Sequence, residues 1–212
     1  MFHGSLILCF PCLLLVAGSA SGQSTVAIDN DSVKVISAYE KPRERTPMHE
    51  HKFNRVIIFE QGGKQEFISM RSQPTFLEFK TGEVIWSPAG GIHSSQVVSD
   101  VPVPMVEIEI KKLGNPSLLV PGPLDPVKAD PKHYKIEFEN DQVRVLRVII
   151  GPHESTPLHE HNLNRVVVYL SDQDFRVTST DGKVEHVKHK AGDVTWSGSA
   201  GHKEENLTRL LK

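Results

Sequence analysis

An internal repeat constrains the fold of this chain more than any other feature. When the sequence is shifted by 110 residues, 14 of the 30 positions from residue 30 to residue 59 are identical, without a gap. The same shift superimposes the segment Thr-Pro-x-His-Glu-His at residues 46–51 on residues 156–161, and it relates the only two tryptophans, Trp86 and Trp196. Self-similarity of this kind indicates tandem copies of one structural unit. We therefore predict two similar domains of roughly 90 residues each.

Proline marks the boundary between the two units. Five prolines fall between residues 112 and 133. Proline lacks a backbone N–H and fixes φ, so this density disfavours both a helix and a central strand. We predict an N-terminal domain at residues 24–111, an extended linker at residues 112–133 and a C-terminal domain at residues 134–212.

Short strands are the predicted elements inside each unit. Residues 106–110 alternate apolar and charged side chains with period two, as a half-buried strand does, and residues 55–59 and 165–170 are rich in β-branched side chains. The dipeptide Asp181-Gly182 predicts a two-residue hairpin turn. No stretch of twelve residues has a helical period, so the fold class is predicted to be all-β, with two small barrels or sandwiches.

The N-terminus has the pattern of a secretory signal. Residues 5–17 form an apolar run that is shorter than the roughly 20 residues of a membrane-spanning helix, and small residues follow it. We predict a signal peptide at residues 1–22 and a secreted or periplasmic protein without stable membrane insertion after cleavage. A retained N-terminal anchor is the alternative, since no Lys or Arg precedes the run. Both cysteines, Cys9 and Cys12, lie in this segment, which excludes a disulfide framework or thiolate chemistry in the mature chain.

Composition limits the classes of binding partner and shows that histidine is the abundant residue with metal-binding chemistry. The chain has 24 basic and 26 acidic residues and a net charge of −2, so we expect no nucleic-acid partner. Histidine is abundant, with 11 residues. The pairs at residues 49 and 51 and at residues 159 and 161 have the i, i+2 spacing that places two side chains on one face of a strand. Neutral imidazole is a common metal ligand, so each pair is a candidate metal site.

A second motif follows each histidine pair. It reads Gly-x5-Pro-x-Gly-x2-His over residues 82–93 and Gly-x5-Gly-x3-His over residues 192–202. Together with the histidine pairs, these segments resemble the two motifs of the cupin superfamily, and the resemblance covers the mature chain twice. It implies a bicupin, with two double-stranded β-helix (cupin) barrels in tandem, in which self-association as a homodimer is common. It also implies that three histidines per barrel hold a divalent metal ion (Fe, Mn, Ni or Zn): His49, His51 and His93 in the first barrel, and His159, His161 and His202 in the second.

The sequence departs from the cupin pattern at two places in each unit. The leading glycine of the first motif is replaced by Arg43 and by His153. Where the usual glutamate ligand is expected, the chain has Arg55 and Arg165, each followed by valine. Side chains alternate between the two faces of a strand, so Arg55, six residues after His49, is predicted to share its inward face. A permanently charged guanidinium cannot ligate a cation and weakens its binding by repulsion.

Three interpretations of the inward arginines stay open at this stage. Three neutral histidines can bind a divalent metal while Arg55 and Arg165 anchor a small acidic ligand, since their planar fork matches a carboxylate or phosphate. Otherwise the barrels have lost the metal and bind an anion directly through arginine and histidine. In the third interpretation the arginines only form salt bridges with a nearby carboxylate such as Glu50 or Glu160.

For the activity, the resemblance favours a metal-dependent dioxygenase acting on a small, anionic molecule, because some cupin dioxygenases use three histidines. The alternative is a non-catalytic small-molecule binding or sensor module without metal. An isomerase would need an acid–base pair that the sequence does not offer beyond the histidines. Trp86 and Trp196 are candidates for the wall of the binding pocket or for the core, and His133 is expected in solvent.

Overall fold

The computed structural model describes residues 23–70, 72–115 and 120–208. The predicted signal peptide at residues 1–22, with Cys9 and Cys12, lies outside these residues. Strands dominate the described chain, so the all-β prediction is confirmed, and no described helix is long and apolar enough to cross a membrane. The first unit contains β1 (Gln23–Asp29), β2 (Val33–Glu40), β3 (Arg55–Phe59), β4 (Gly63–Ser69), β5 (Thr75–Phe79), β6 (Val84–Ser87), β7 (His93–Val97) and β8 (Val103–Ile110). The second contains β9 (Tyr134–Glu139), β10 (Arg144–Val148), β11 (His159–His161), β12 (Arg165–Val168), β13 (Gln173–Ser179), β14 (Val184–His189), β15 (Val194–Ser197) and β16 (Ala200–Asn206).

The first unit is a barrel of two antiparallel sheets. One sheet has the order β1-β2-β8-β3-β6 and the other has the order β5-β4-β7. Side chains alternate along β3, so that Ile57 and Phe59 point into the barrel, where the rings of Phe59 and Phe79 stack with centroids 3.6 Å apart. Val97, Val103 and Met105 complete this buried core. The apolar core fills one end of the barrel and leaves the other end to polar side chains.

The second unit repeats these pairings with one difference. Its sheets have the orders β11-β16-β13-β14, β10-β9 and β12-β15, which match the pairings of the first barrel. In the first barrel β8 lies between β2 and β3. Among the described residues, by contrast, β10 pairs only with β9 and β12 pairs only with β15. The second barrel is therefore more open on that side, as far as the structure describes it.

The two barrels pack through the outer faces of their sheets. Val33, Val35 and Val106 are buried against a set of side chains from the second barrel: Val166, Val168, Val194 and Trp196. This contact explains the alternation predicted for residues 106–110, because Val106, Ile108 and Ile110 face the other barrel. The side chains of β8 that alternate with these, among them Glu107, face the interior of their own barrel. Both faces of this strand are thus covered.

Two local predictions are corrected by the structure. The linker, predicted to be extended, contains a one-turn helix α1 (Pro126–Ala129). Proline is tolerated there because it occupies the first turn, where its missing N–H has no helical partner, and Asp125 caps the turn by accepting from Val127 N. The turn at Asp181-Gly182 is longer than the predicted two residues, since Ser179 N donates to Lys183 O and leaves three residues between them. Gly182 has φ +84°, as three-residue loops require.

The missing cupin glycines have a structural consequence. Arg43 and His153, which replace them, are the non-glycine residues with positive φ in the described chain, at 65° and 63°. Their backbones make equivalent bonds, from Arg43 N to Val97 O at 2.8 Å and from His153 N to Asn206 O at 2.9 Å. Both barrels therefore keep the left-handed turn that glycine adopts easily, although it costs a side-chain-bearing residue about 1 kcal/mol.

Candidate metal centres

The first barrel brings three histidines together at its polar end. His49 and His93 form a β-bridge, with His49 N donating to His93 O at 2.8 Å and His93 N donating to His49 O at 3.0 Å. His51 lies two residues along the same face. One ring nitrogen from each histidine falls within 4.8 Å of the others. The Nδ1 atoms of His49 and His93 lie 2.8 Å and 3.2 Å from the carbonyl oxygens of Pro47 and Gly91, so they donate there and Nε2 carries the lone pair.

The second barrel repeats this arrangement on regular strands. β11 pairs with β16 so that His159 lies opposite His202 and His161 lies opposite Ala200. The three imidazoles again place one nitrogen each within 4.8 Å of the others. His159 is fully buried, and its Nδ1 lies 3.0 Å from Pro157 O. The same local sequence, Thr-Pro-x-His-Glu-His, therefore produces the same ring orientation twice.

His51 and His161 are held in the neutral form that metal binding requires. Burial, followed by the charges of Arg55 and of neighbouring histidines, lowers the pKa of His51 to about 3. Burial, followed by the charges of Arg165 and neighbouring histidines, lowers the pKa of His161 to about 3. Ligands at about 2.1 Å from one ion are at most about 4.2 Å apart, so each triad needs a shift of less than about 1 Å to close on a metal. The donor set fits a divalent first-row metal.

These pKa shifts predict a pH-dependent stability of the metal-free protein. The folded-state pKa values of His51 and His161 lie below the unfolded value of about 6.5, so the unfolded chain binds more protons between the two values. Stability should consequently fall as the pH drops below about 6.5, by about 1–2 kcal/mol per histidine at pH 5. Urea unfolding of chelator-treated protein at pH 7 and pH 5 measures this fall in the free energy of unfolding. His51→Gln should reduce the difference, and a pH-independent midpoint would contradict the prediction.

The two inward arginines have different partners. Arg55 is 5% exposed, and its Nε lies 3.2 Å from Glu107 Oε2, so it pairs with a carboxylate of β8 and not with Glu50. Arg165 instead donates from Nη1 to Gly198 O at 2.8 Å. No carboxylate oxygen of the described residues forms a salt bridge with Arg165 within 4.0 Å. Arg55 is thus paired directly with a carboxylate, whereas Arg165 makes no salt bridge within 4.0 Å among the described residues and is acted on by the charge of Glu204 only at longer range.

A small cavity lies beside the first triad. It has a volume of about 40 Å³ and is lined by the three histidines, Arg55, Glu107 and the polar side chains Glu40, Gln65 and Ser95. Burial raises the pKa of Glu107, against the lowering effect of Arg55. Glu107 and Glu109 also approach His51 Nδ1, at 3.8 Å and 3.9 Å. This space holds only a few water-sized groups.

Trp86 and Trp196 do not line these sites, which corrects their assignment as candidate substrate-binding residues. Trp86 is paired with Val56, one residue from inward Arg55, and so lies on the outer face, where its ring approaches Phe138 with centroids 6.1 Å apart. Trp196 packs in the apolar contact between the barrels. Both tryptophans serve packing.

Three site residues were not predicted from the sequence: Glu107 in the first barrel, and Tyr134 and Glu204 in the second. Tyr134 is 2% exposed and its hydroxyl lies 3.1 Å from His159 Nε2, while it donates to Glu204 Oε2 at 2.8 Å. Glu204 could have been found, because it follows His202 with the i, i+2 spacing of one strand face. Tyr134 and Glu107 reach their triads from strands distant in sequence.

The fold of the chain is known from other structures. The chain has the fold of a bicupin, two double-stranded β-helix barrels in tandem, as its motifs predicted. It resembles solved oxalate decarboxylase structures over 88% of its length: one at 14% identity, 70% of that chain and a TM-score of 0.60, and one from Bacillus subtilis at 15% identity, 69% of that chain and a TM-score of 0.58. A cupin domain from Bordetella pertussis is 28% identical over 43% of this chain and 95% of that chain, with a TM-score of 0.41. No family model and no curated protein sequence matches the chain.

Proposed function

We propose that each barrel binds a divalent first-row metal through its three histidines, and that Arg165 holds a small carboxylate-bearing ligand beside the metal in the second barrel. The observation that carries the proposal is the contrast between the arginines. Arg165 is near the second triad, since its charge contributes to the lowered pKa values of His161 and His202, yet no described carboxylate neutralises it in a salt bridge. An anionic ligand would supply that charge through a bidentate pair.

Fe, Mn, Ni and Zn are all compatible with the donor set. Manganese has a relevant precedent in the fold, since the similar Bacillus subtilis oxalate decarboxylase has Mn(II) centres. We propose that the reaction, where there is one, is an oxidation of the dioxygenase type. A bound metal supplies Lewis acidity and a template for substrate and O₂. The chain's own part is to orient the ligand carboxylate through Arg165 and to keep His161 and His202 neutral by burial.

The geometry of the first barrel favours a further candidate function, a non-catalytic module that retains its metal, unlike the metal-free module expected from the sequence. Its arginine is already paired with Glu107, and its cavity of about 40 Å³ leaves little room for a substrate beside a metal. We therefore propose that the first barrel binds its metal mainly as a structural or sensing site. Export through residues 1–22 and homodimerisation stay predictions.

Metal analysis tests the proposal. Protein purified without a tag should hold about two equivalents of a first-row metal after incubation with Fe(II), Mn(II), Ni(II) or Zn(II), because each barrel supplies one triad. His49→Ala/His51→Ala and His159→Ala/His161→Ala should each lose about one equivalent. Thr46→Ser, beside the first triad, is the control and should lose none.

A content below about 0.1 equivalents, unchanged by all four metals, would overturn the metal proposal. The ligand is tested separately with oxalate, malonate and acetate as probes. Their binding should be lost in Arg165→Ala and kept in Arg55→Ala. Equal loss in both variants would contradict the assignment of the acid site to the second barrel.

A further inference from the structure

The hydroxyl of Tyr134 lies between two hydrogen-bond acceptors of the second barrel. It lies 3.1 Å from His159 Nε2 and 2.8 Å from Glu204 Oε2. His159 Nδ1 faces the carbonyl of Pro157 and donates to it, so Nε2 is an acceptor. A phenol has one proton and cannot donate to both acceptors. When the proton is given to Glu204, the oxygen lone pairs are left beside the unprotonated Nε2.

The distance between the two atoms fits two ligands of one ion. Adjacent ligands at about 2.1 Å from a metal are about 3.0 Å apart at a right angle and about 3.4 Å apart at a tetrahedral angle. The 3.1 Å separation of Tyr134 Oη and His159 Nε2 agrees with this geometry. Glu204 is placed less favourably, because its nearest approach is from Oε1 to His202 Nε2 at 3.6 Å. The carboxylate is better placed to accept the phenolic proton.

We propose that Tyr134 is the fourth protein ligand of the metal in the second barrel, with its proton passing to Glu204 when the phenolate oxygen binds. The inference rests on the metal binding proposed above. The phenolate replaces the negative ligand that the sequence lacks where Arg165 stands. In the metal-free chain, burial and Glu204 raise the pKa of Tyr134, so the phenol is neutral there and a bound cation reverses that preference.

The first barrel has no equivalent of this arrangement. Thr46 N donates to Ser95 O and Thr156 N donates to Glu204 O, so Ser95 is the counterpart of Glu204. By the 110-residue shift the counterpart of Tyr134 is Ser24, which is exposed on β1. The two centres are therefore different in kind. The first offers three imidazoles, and the second offers three imidazoles and a phenolate.

Copper(II) provides a spectroscopic test of a phenolate ligand. The second site is isolated in the full chain by His49→Ala/His51→Ala and is titrated with copper(II), because a copper(II)–phenolate bond gives a visible charge-transfer band that imidazole ligands do not give. The band should appear with one equivalent of copper and vanish in Tyr134→Phe. Tyr169→Phe is the matched control, since Tyr169 stacks on His189 outside the triad, and it should keep the band.

Zinc affinity, measured by competition with a chelator, gives the second readout. Tyr134→Phe should bind zinc at least tenfold more weakly, and Glu204→Gln should bind it more weakly than the parent while keeping copper bound. Urea unfolding of each metal-free variant establishes that it is folded. One equivalent of bound copper without the band, or zinc binding in Tyr134→Phe as tight as in the parent, would overturn the inference and leave the three-histidine site intact. No bound metal at all would instead overturn the proposed function.

Discussion

Arg55→Ala is expected to lower the free energy of unfolding of the metal-free protein by about 3–5 kcal/mol, the cost of leaving one partner of a buried ion pair alone. The side chains of Arg55 and Glu107 are 6% and 16% exposed, and Arg55 Nε lies 3.2 Å from Glu107 Oε2. Without the guanidinium, the Glu107 carboxylate would remain beside Glu109 in a site where burial already raises its pKa. Protonation of Glu107 relieves the unpaired charge, so the loss should be larger at pH 8 than at pH 5.

Arg165→Ala is the matched control for this prediction. The same substitution there removes a hydrogen bond to Gly198 O. It breaks no salt bridge of the described residues, so we expect the free energy of unfolding to fall by only about 1–2 kcal/mol. Combining Arg55→Ala with Glu107→Gln should recover more than half of the loss, because the amide buries no charge. Urea unfolding measures all three variants. Equal losses in Arg55→Ala and Arg165→Ala would show that the pair with Glu107 contributes nothing specific.

The histidine triads and the barrels could be predicted because the information for them is local. The i, i+2 spacing of His49 and His51 places both rings on one face whatever the rest of the chain does. The repeat supports the same prediction, since both copies keep the same spacing of the two histidines. The inward placement of Arg55 followed from the same period. Of the two roles left open for the tryptophans, the structure supports packing, and the same count indicates it, because Trp86 is the cross-strand neighbour of outward Val56.

Apart from Glu204, the polar partners of the sites could not be predicted in this way. Glu107 pairs with Arg55 from a strand about fifty residues away, and Tyr134 reaches His159 from β9. The alternation along residues 106–110 of β8 does not reveal which side chains face the interior of the first barrel. The apolar ones are buried against the second barrel instead. His133, expected in solvent, is 5% exposed, with Nδ1 2.6 Å from Asp130 Oδ2 and Nε2 3.0 Å from Glu154 Oε2. Composition alone does not indicate that two carboxylates hold His133 in a buried position.

Arg165→Glu should tighten divalent-metal binding in the second barrel by about 100-fold or more. Two unit charges about 5 Å apart interact by about 3 kcal/mol at an effective dielectric of 20, and the substitution replaces repulsion of a divalent ion by attraction. The second barrel is the sharper place for this test. At the first site Arg55→Glu would add a carboxylate beside Glu107 and Glu109, and its effect on folding would obscure its effect on the metal.

Zinc dissociation constants for Arg165→Glu, Arg165→Gln and Arg165→Lys, measured in the His49→Ala/His51→Ala background, separate charge from geometry. Affinity should rise from lysine through glutamine to glutamate, because the local charge becomes steadily less positive. Arg165→Lys should bind zinc as the parent does but bind oxalate at least tenfold more weakly, since lysine keeps the charge and loses the bidentate fork. If zinc affinity were the same in all three variants, Arg165 would lie too far from the metal to act on it. The Arg165 guanidinium would then have no role in the site, and the proposed anionic ligand would have no cationic side chain to bind.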